Sequence, residues 1–115
     1  MSAITTHILD VSSGRPAAGV SVMLEHETET EGWQLVAKGV TDADGWLRLL
    51  REEQDELFDT GHYRLTFATG TYFSNQQIES FYPQVSVAFS VRDASQHYHV
   101  PLLLSPFGYS TYRGS

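Results

Sequence analysis

Short segments in which apolar and polar residues alternate, separated by turn-forming residues, constrain the fold of this chain most. Residues 85–91 place valine or phenylalanine at every second position, and residues 98–104 do the same with tyrosine, valine and leucine. Successive side chains of a β-strand point to opposite faces of a sheet, so this period of two gives each strand one apolar face. Regularly spaced short strands with turns between them predict an antiparallel β-sandwich.

Seven or eight strands and at most one short helix are expected along the chain. The strands are predicted over residues 4–11, 20–27, 33–40, 46–50, 63–67, 85–91, 97–104 and 109–113. The cluster Asp42–Gly45 predicts a tight turn, because aspartate side chains favour turns and glycine accepts a positive φ. The polar segment Thr71–Ser80 is the helix candidate, and the acidic segment Arg51–Thr60 is predicted to be a loop or a frayed helix.

Length, charge and composition exclude several classes of protein. The 115 residues predict a single domain over 1–115, and 7 basic against 14 acidic residues give a formal charge of −7. This acidic balance disfavours a nucleic-acid partner, since binding a phosphate backbone requires clustered cations. The lack of cysteine excludes a disulfide scaffold, a thiolate zinc site and a catalytic cysteine.

No segment of the sequence predicts export or membrane insertion. Residues 1–10 contain neither a basic region nor a long apolar run, whereas a secretory signal has both. The longest apolar run, Val100–Leu104, is far too short to cross a bilayer. We therefore expect no membrane partner and a cytoplasmic location.

Two groups of acidic residues are interpreted as solvated surface rather than as cation sites. Strand periodicity places the first group on one face: Glu25, Glu27, Glu29 and Glu31. The second group follows further along the chain: Glu52, Glu53, Asp55, Glu56 and Asp59. Hard cations need oxygens that converge on one point, whereas a line of carboxylates mainly discourages pairing at a sheet edge.

Histidine carries most of the chemical interest in this sequence. His97 and His99 are two residues apart in a predicted strand, so both point to the same face, and His7 lies in the first strand. The three side chains meet if the first and penultimate strands are neighbours. Such a cluster is open to three interpretations: a zinc site, a general acid–base pair, or an ordinary polar face. His26 and His62 are expected to be solvated.

The two ends of the chain resemble motifs of one known family. Residues 97–115 close with Tyr112-Arg113-Gly114-Ser115 and resemble the signature of the 5-hydroxyisourate hydrolases, the enzymatic branch of the transthyretin superfamily. Residues 5–10 and 14–18 resemble the first motif of that family, and the segments 41–45, 70–73 and 80–83 match its middle part. The resemblance covers essentially the whole chain.

This resemblance implies an all-β, transthyretin-like sandwich of two four-stranded sheets with one short helix. It implies a homotetramer, a dimer of dimers, with active sites in clefts where the dimers meet. The family opens a ring of 5-hydroxyisourate, the product of urate oxidation, to give 2-oxo-4-hydroxy-4-carboxy-5-ureidoimidazoline. It uses neither a cofactor nor a metal, so the resemblance favours water chemistry at the histidines over zinc binding.

The resemblance also assigns site residues one at a time. The histidine of the family's first strand corresponds to His7, and the histidine that precedes its Val-Pro-Leu segment corresponds to His99. The terminal tetrapeptide, which binds substrate in the family, corresponds to Tyr112, Arg113, Gly114 and Ser115. The family adds an arginine directly after its Asp-Gly turn.

This sequence departs from the family at that arginine. Asp44-Gly45 is followed by Trp46, which carries no charge, and Arg48 lies two residues further along. Residues 46 and 48 of a regular strand project to the same face, about 6–7 Å apart. Arg48 is therefore the candidate to replace the missing cation, with Trp46 beside it as a candidate substrate contact. The alternative is that Arg48 is a solvated arginine and Trp46 only fills the vacated space.

The expected mechanism is hydrolysis of a cyclic amide. His7 and His99 bracket a water, one as general base and the other as orienting group or acid, because imidazole titrates near neutral pH. Arg48 polarises the carbonyl and holds the anionic substrate. An alternative function is non-catalytic binding of small planar ligands, with Trp46 as a stacking surface.

Overall fold

The computed structural model describes residues 3–51 and 59–115. They form β1 (Ala3–Asp10), β2 (Arg15–Pro16), β3 (Ser21–Thr28), β4 (Gly32–Val40), β5 (Trp46–Arg51), β6 (Gly61–Phe67), α1 (Thr69–Ser74), β7 (Val85–Val91), β8 (His97–Ser105) and β9 (Gly108–Thr111). The loop or helix predicted over Arg51–Thr60 falls mostly outside the described residues, as do Glu52, Glu53, Asp55 and Glu56. No helix within the described ranges is long and apolar enough to cross a membrane.

The strands form two sheets that pack face to face, which confirms the predicted β-sandwich. The prediction that all strands pair antiparallel was wrong at one place, because β1 and β8 pair in parallel. The first sheet has the order β5-β1-β8-β9, and the second has the order β4-β3-β6-β7. The prediction of two four-stranded sheets omitted β2, a two-residue strand that pairs with Leu9 and Asp10 of β1. This strand adds a fifth member to the first sheet, on the side of β1 where β5 has already ended.

Two predicted elements end earlier than the sequence indicates. The helix expected over Thr71–Ser80 spans only Thr69–Ser74, and it could not continue to Ser80 because Gln77 adopts a φ of 61°, outside the right-handed helical region. The last strand, expected over residues 109–113, ends at Thr111. The chain then turns toward β8, where the backbone of Gly114 forms an isolated bridge with His99.

The core lies between the two sheets and is built from the inward face of each strand. β1 and β8 contribute Ile4, Ile8, Tyr98, Val100, Leu102 and Leu104, all buried. The second sheet contributes Val22, Leu24, Tyr63, Leu65, Phe67, Val85 and Val91. Burial of each large apolar side chain stabilises the fold by about 1.5–3 kcal/mol, so the alternating residues that predicted the strands also hold the sandwich together.

The pairing of β1 with β8 decides which polar residues meet. The two strands are parallel neighbours, with Thr5 opposite His99 and His7 opposite Pro101. Since the even-numbered residues face the core, these odd-numbered residues lie on the outer face of the first sheet. The strand adjacency that the three-histidine hypothesis required is therefore present.

The acidic face predicted around β3 is only partly formed. Glu29 and Glu31 lie in the turn after β3 rather than on the strand. Glu25 pairs with the Arg64 guanidinium at 2.9 Å, and Glu27 contacts the His62 imidazole at 3.1 Å. The carboxylates of the strand thus face cationic or titratable partners one by one instead of converging on a point.

Candidate active site

The outer face of the first sheet gathers the candidate residues from three adjacent strands. Trp46 of β5 is opposite His7 of β1, and Arg48 of β5 is opposite Thr5. His99 of β8 is opposite Thr5 from the other side. The register therefore brings together residues that are as much as 94 positions apart in the chain.

Trp46 is the centre of this cluster. Its indole stacks on the His7 imidazole with 4.7 Å between ring centroids and 15° between the ring planes. It also stacks on the His99 imidazole, at 4.8 Å and 17°. Each such contact contributes about 0.5–1.5 kcal/mol beyond burial of area, so the tryptophan orients both imidazoles. The indole is still 45% exposed, so one part of it is open to a ligand.

The tight turn before β5 fixes the tautomer of His7. Its Nε2 lies 2.9 Å from the carbonyl oxygen of Asp44. A carbonyl oxygen only accepts hydrogen bonds, so Nε2 carries the proton and donates it, which leaves Nδ1 of the neutral ring free to accept. The turn itself needs glycine at position 45, where φ is +78° and a Cβ would lie 2.5 Å from the carbonyl oxygen of Ile8.

Thr5 links the two histidines of β8. Its hydroxyl oxygen lies 2.8 Å from Nδ1 of His99 and 3.0 Å from Nε2 of His97. Thr5 is buried, with 3% of its surface exposed, whereas His97 is exposed and His99 is half-buried. The buried hydroxyl group of Thr5 therefore lies beneath the two imidazoles and contacts both of them.

The surroundings of His99 favour the neutral form of its imidazole. Burial of the ring lowers its pKa below the ordinary imidazole value, and the nearby charges of His97 and His7 lower this pKa further. A hydrogen bond with Thr5 acts in the opposite direction but does not outweigh them. A neutral imidazole is the form that accepts a proton, so His99 is suited to general-base chemistry.

The C-terminal tetrapeptide packs against the same histidine. The Gly114 amide donates to the carbonyl oxygen of His99 at 2.8 Å. The Arg113 guanidinium donates to the side-chain oxygen of Gln96 at 3.1 Å, and its carbon lies 4.6 Å from the centre of the Tyr98 ring. Tyr112 and Ser115 are exposed. Within the tetrapeptide, Gly114 therefore makes the direct contact with His99.

Two depressions in the surface are lined by several of the site residues, whereas His7 belongs to the lining of neither. A cleft of about 570 Å³ lies along β5, and its lining includes Thr5, Trp46, Arg48 and His97. A second cavity of about 270 Å³ lies at the edge between β7 and β9, and its lining includes His99, Tyr112 and Arg113. The stack of Trp46 on His99 joins the two depressions.

Arg48 lies in the cleft beside Trp46, as predicted from the period of two in a β-strand. It is exposed and opposite Thr5, on the same face as Trp46. Within residues 3–51 and 59–115, the ion pairs involve only Glu25, Glu27, His62 and Arg64, so no described carboxylate neutralises Arg48. Its guanidinium is therefore available to an anionic ligand in the cleft.

Sequence reasoning missed two parts of this site. Thr5 was not singled out, although its position two residues before His7 in a strand places both side chains on one face. The carbonyl group of Asp44, which accepts the hydrogen bond from His7, belongs to the main chain and so cannot be recognised from the residue type. Of the histidines expected to be solvated, His62 is exposed, but the expectation was wrong for His26, which is half-buried and stacks on Tyr63 at 4.4 Å.

A β-sandwich with paired histidines on one outer face and this terminal tetrapeptide defines a known class. The chain belongs to the HIUase/Transthyretin family, whose model matches residues 4–114. It is 47% identical over 119 residues to the 5-hydroxyisourate hydrolase of Caulobacter vibrioides, with 100% of both chains covered.

Solved structures place the chain close to both branches of this family. The structure of Klebsiella pneumoniae 5-hydroxyisourate hydrolase matches with a TM-score of 0.84 and 38% identity, covering 99% of this chain and 100% of that one. Transthyretin from Sparus aurata matches with a TM-score of 0.89 and 35% identity, covering 99% and 97%. The chain matches both structures closely, so backbone similarity does not decide its function and the functional argument depends on side chains.

Proposed function

We propose that this chain hydrolyses 5-hydroxyisourate to 2-oxo-4-hydroxy-4-carboxy-5-ureidoimidazoline, a step of urate degradation, without a cofactor or metal. The observation that carries the proposal is the arrangement of His99. Burial lowers the pKa of its ring, Trp46 and Thr5 orient the ring, and the ring lies against the family's terminal tetrapeptide. Relatives at 38–47% identity carry the name of this activity.

In the proposed mechanism His99 is the general base. Nε2 of His99 removes a proton from water, and the water oxygen forms a bond to the carbonyl carbon of the cyclic amide. The ring C–N bond then breaks, and the imidazolium returns its proton to the leaving nitrogen. His7 orients the water, because its Nε2 proton is committed to the carbonyl oxygen of Asp44 and its Nδ1 can only accept.

Arg48 supplies the positive charge in this proposal. A guanidinium presents a planar fork of donors that fits two oxygens of a urate-like ring. A cation aimed at the oxyanion that develops on the carbonyl stabilises the transition state by about 2.7–4 kcal/mol, as a single donor of an oxyanion hole does. Trp46 offers the exposed part of its indole to the ring plane, and Tyr112, Arg113, Gly114 and Ser115 complete the substrate contacts.

The proposal includes a cytoplasmic homotetramer built as a dimer of dimers, as the family resemblance implies. Two features of the chain support assembly. Among the described residues, β7 and β9 are the outer strands of neighbouring sheet edges, and a strand edge without a partner favours pairing with another copy. Phe107 and Tyr112 are 64% and 56% exposed near that edge. Light scattering on purified protein is expected to give four times the mass of the chain.

A second candidate function is non-catalytic binding of small planar ligands. It is favoured by one observation: a stacked tryptophan stands where the family has an arginine. A protein that only binds a ligand does not need two histidines that activate water, so we rank non-catalytic binding second. Quenching of Trp46 fluorescence by urate, with Trp46→Phe as control, would reveal such binding.

The deciding experiment is a rapid ultraviolet assay. Fresh 5-hydroxyisourate is generated in the cuvette with urate oxidase and mixed with the purified protein. We expect decay much faster than in buffer, and decay unaffected by a chelator. Decay at the buffer rate, together with tryptophan quenching by urate, would replace the hydrolase proposal with the binding one.

A further inference from the structure

One hydroxyl group contacts both imidazoles of β8. The oxygen of Thr5 is within hydrogen-bond distance of Nδ1 of His99 and Nε2 of His97, and no other hydrogen-bond partner of this oxygen occurs among the described residues. A threonine hydroxyl has one proton to donate and two lone pairs to accept with. It can therefore donate to one of the two imidazoles while it accepts from the other.

The direction of the two hydrogen bonds follows from the position of His99. Nδ1 of His99 is occupied by Thr5, so Nε2 is the nitrogen left to contact a water. Nε2 can remove a proton only if it carries none, and a neutral imidazole then carries its proton on Nδ1. That proton points at the oxygen of Thr5, and the hydroxyl proton of Thr5 turns to Nε2 of His97.

We infer that Thr5 is a positioning residue that holds His99 in the Nδ1-protonated tautomer and thereby presents a bare Nε2 to the water. This inference deepens the proposed function and rests on His99 being the base. Thr5 transfers no proton to substrate in this arrangement. It acts as the carboxylate or carbonyl partner does for many catalytic histidines, by fixing the ring and its tautomer.

The burial of Thr5 explains why a neutral hydroxyl is effective here. Thr5 is only 3% exposed, so little solvent competes for its hydroxyl group, and the two imidazoles lie within hydrogen-bond distance of its oxygen. Several charged or titratable groups face the same position from the surrounding elements. Asp42 of the turn, Arg48 of β5 and His97 of β8 line the same cleft as Thr5. His7 follows Thr5 by two residues on the same face of β1, and Arg113 of the terminal segment contacts the carbonyl oxygen of His97.

The test compares three threonine variants of the 115-residue chain. Thr5→Val removes the hydroxyl and keeps the shape, and Thr5→Ser keeps the hydroxyl. Thr6→Val is the matched control, because Thr6 is also buried on β1 but faces the core, where its hydroxyl donates to the carbonyl oxygen of Val100 at 2.6 Å. Thermal unfolding of each variant reports whether the strand still folds.

Two readouts separate positioning from stability. Long-range ¹H–¹⁵N correlation spectra at pH 8 report which nitrogen of His99 carries the proton. The ultraviolet assay with 5-hydroxyisourate reports kcat and KM over pH 5–9. We expect Thr5→Val to lose the Nδ1-protonated form and to lower kcat by roughly 10- to 100-fold with little change in KM. Thr5→Ser is expected to restore both, and Thr6→Val to change neither.

The inference is overturned if His99 shows the same tautomer in Thr5→Val as in the unmodified protein, or if Thr6→Val lowers kcat as strongly. The spectra need no turnover, so they distinguish this inference from the proposed function. A tautomer that depends on Thr5 in a protein without hydrolase activity would support the positioning role and overturn the activity. Normal hydrolase activity with an unchanged His99 tautomer in Thr5→Val would support the proposed function and overturn the positioning role of Thr5.

Discussion

Gly114 lies directly against His99. Besides the hydrogen bond from its amide to the carbonyl oxygen of His99, its Cα is so close that an added Cβ would lie 2.5 Å from Cδ2 of the imidazole. Such an approach is far inside van der Waals contact, so any side chain at position 114 displaces the ring. The requirement for glycine in this tetrapeptide thus has a local steric cause.

Gly114→Ala is therefore expected to reduce activity without unfolding the protein. The methyl group pushes His99 away from its stack with Trp46, and displacements of about 1 Å in a catalytic group can cost on the order of 100-fold in rate. The ultraviolet assay measures the loss of kcat. Gly108→Ala is the matched control, because its added Cβ would meet only the Ser105 hydroxyl at an ordinary 3.8 Å. Equal activity in both variants would contradict the role of the close contact.

His99→Asn is expected to lower kcat by roughly 10²- to 10⁴-fold, the contribution typical of a general base. Asparagine preserves polarity and approximate size but cannot take up a proton near neutral pH. Light scattering should show the same assembly as the unmodified protein. His62→Asn, on the second sheet and exposed, serves as control and should remain fully active. Full activity of His99→Asn would remove His99 from the mechanism.

Arg48→Ala tests the replacement of the family's arginine. If Arg48 supplies the cation, the variant loses about 10²- to 10³-fold in kcat/KM. Arg92→Ala removes an exposed arginine of the loop before β8 and is expected to be unchanged. Fast hydrolysis by the Arg48→Ala variant would leave the enzyme assignment intact but show that another group polarises the carbonyl.

The pH dependence of activity is expected to follow the neutral form of His99. Because burial and the neighbouring histidines lower its pKa, the acid limb of kcat should fall to half at a pH below about 6.5. His97→Gln removes one neighbouring positive charge and should move this limb to higher pH. Rate measurements over pH 5–8 check the direction, and a limb that moves to lower pH would contradict the electrostatic explanation.

The hydrogen bonds of Asp10 predict how the stability of the fold depends on pH. Burial alone would raise its pKa, but hydrogen bonds from Ser12, Tyr72 and Ser13 together hold this pKa below its usual value. A carboxylate with a lowered pKa in the folded state stabilises the fold above the unfolded-state pKa of 3.8, and this stability is lost as the pH falls below it.

Asp10→Asn should therefore lower the free energy of unfolding by about 1–3 kcal/mol at pH 7. It should also flatten the loss of stability as the pH falls from 5 to below 3.8. Urea unfolding at these pH values gives both quantities. Glu79→Gln changes an exposed carboxylate and should alter neither. An acid dependence of Asp10→Asn that equals that of the unmodified protein would show that other carboxylates dominate.

Much of the fold and part of the site follow from local patterns. Alternation along 85–91 and 97–104 predicted β7 and β8 closely, since one buried face per strand is a property of adjacent residues. The same period placed Trp46 and Arg48 on one face. The end of α1 at Ser74 and of β9 at Thr111 was not predictable in this way, because each depends on where the following chain must go.

The sequence by itself determined the strand faces, the candidate histidines and the departure at position 46. Only the tertiary structure decided that Trp46 stacks on both His7 and His99, that Thr5 bridges His97 and His99, and that a carbonyl group of the turn fixes the tautomer of His7. The physical reason is the register of the strands, which sets which residues of neighbouring strands lie opposite each other. Local pattern sets which way a side chain points, but the partner it meets depends on the pairing of β5, β1 and β8, which the whole sandwich imposes.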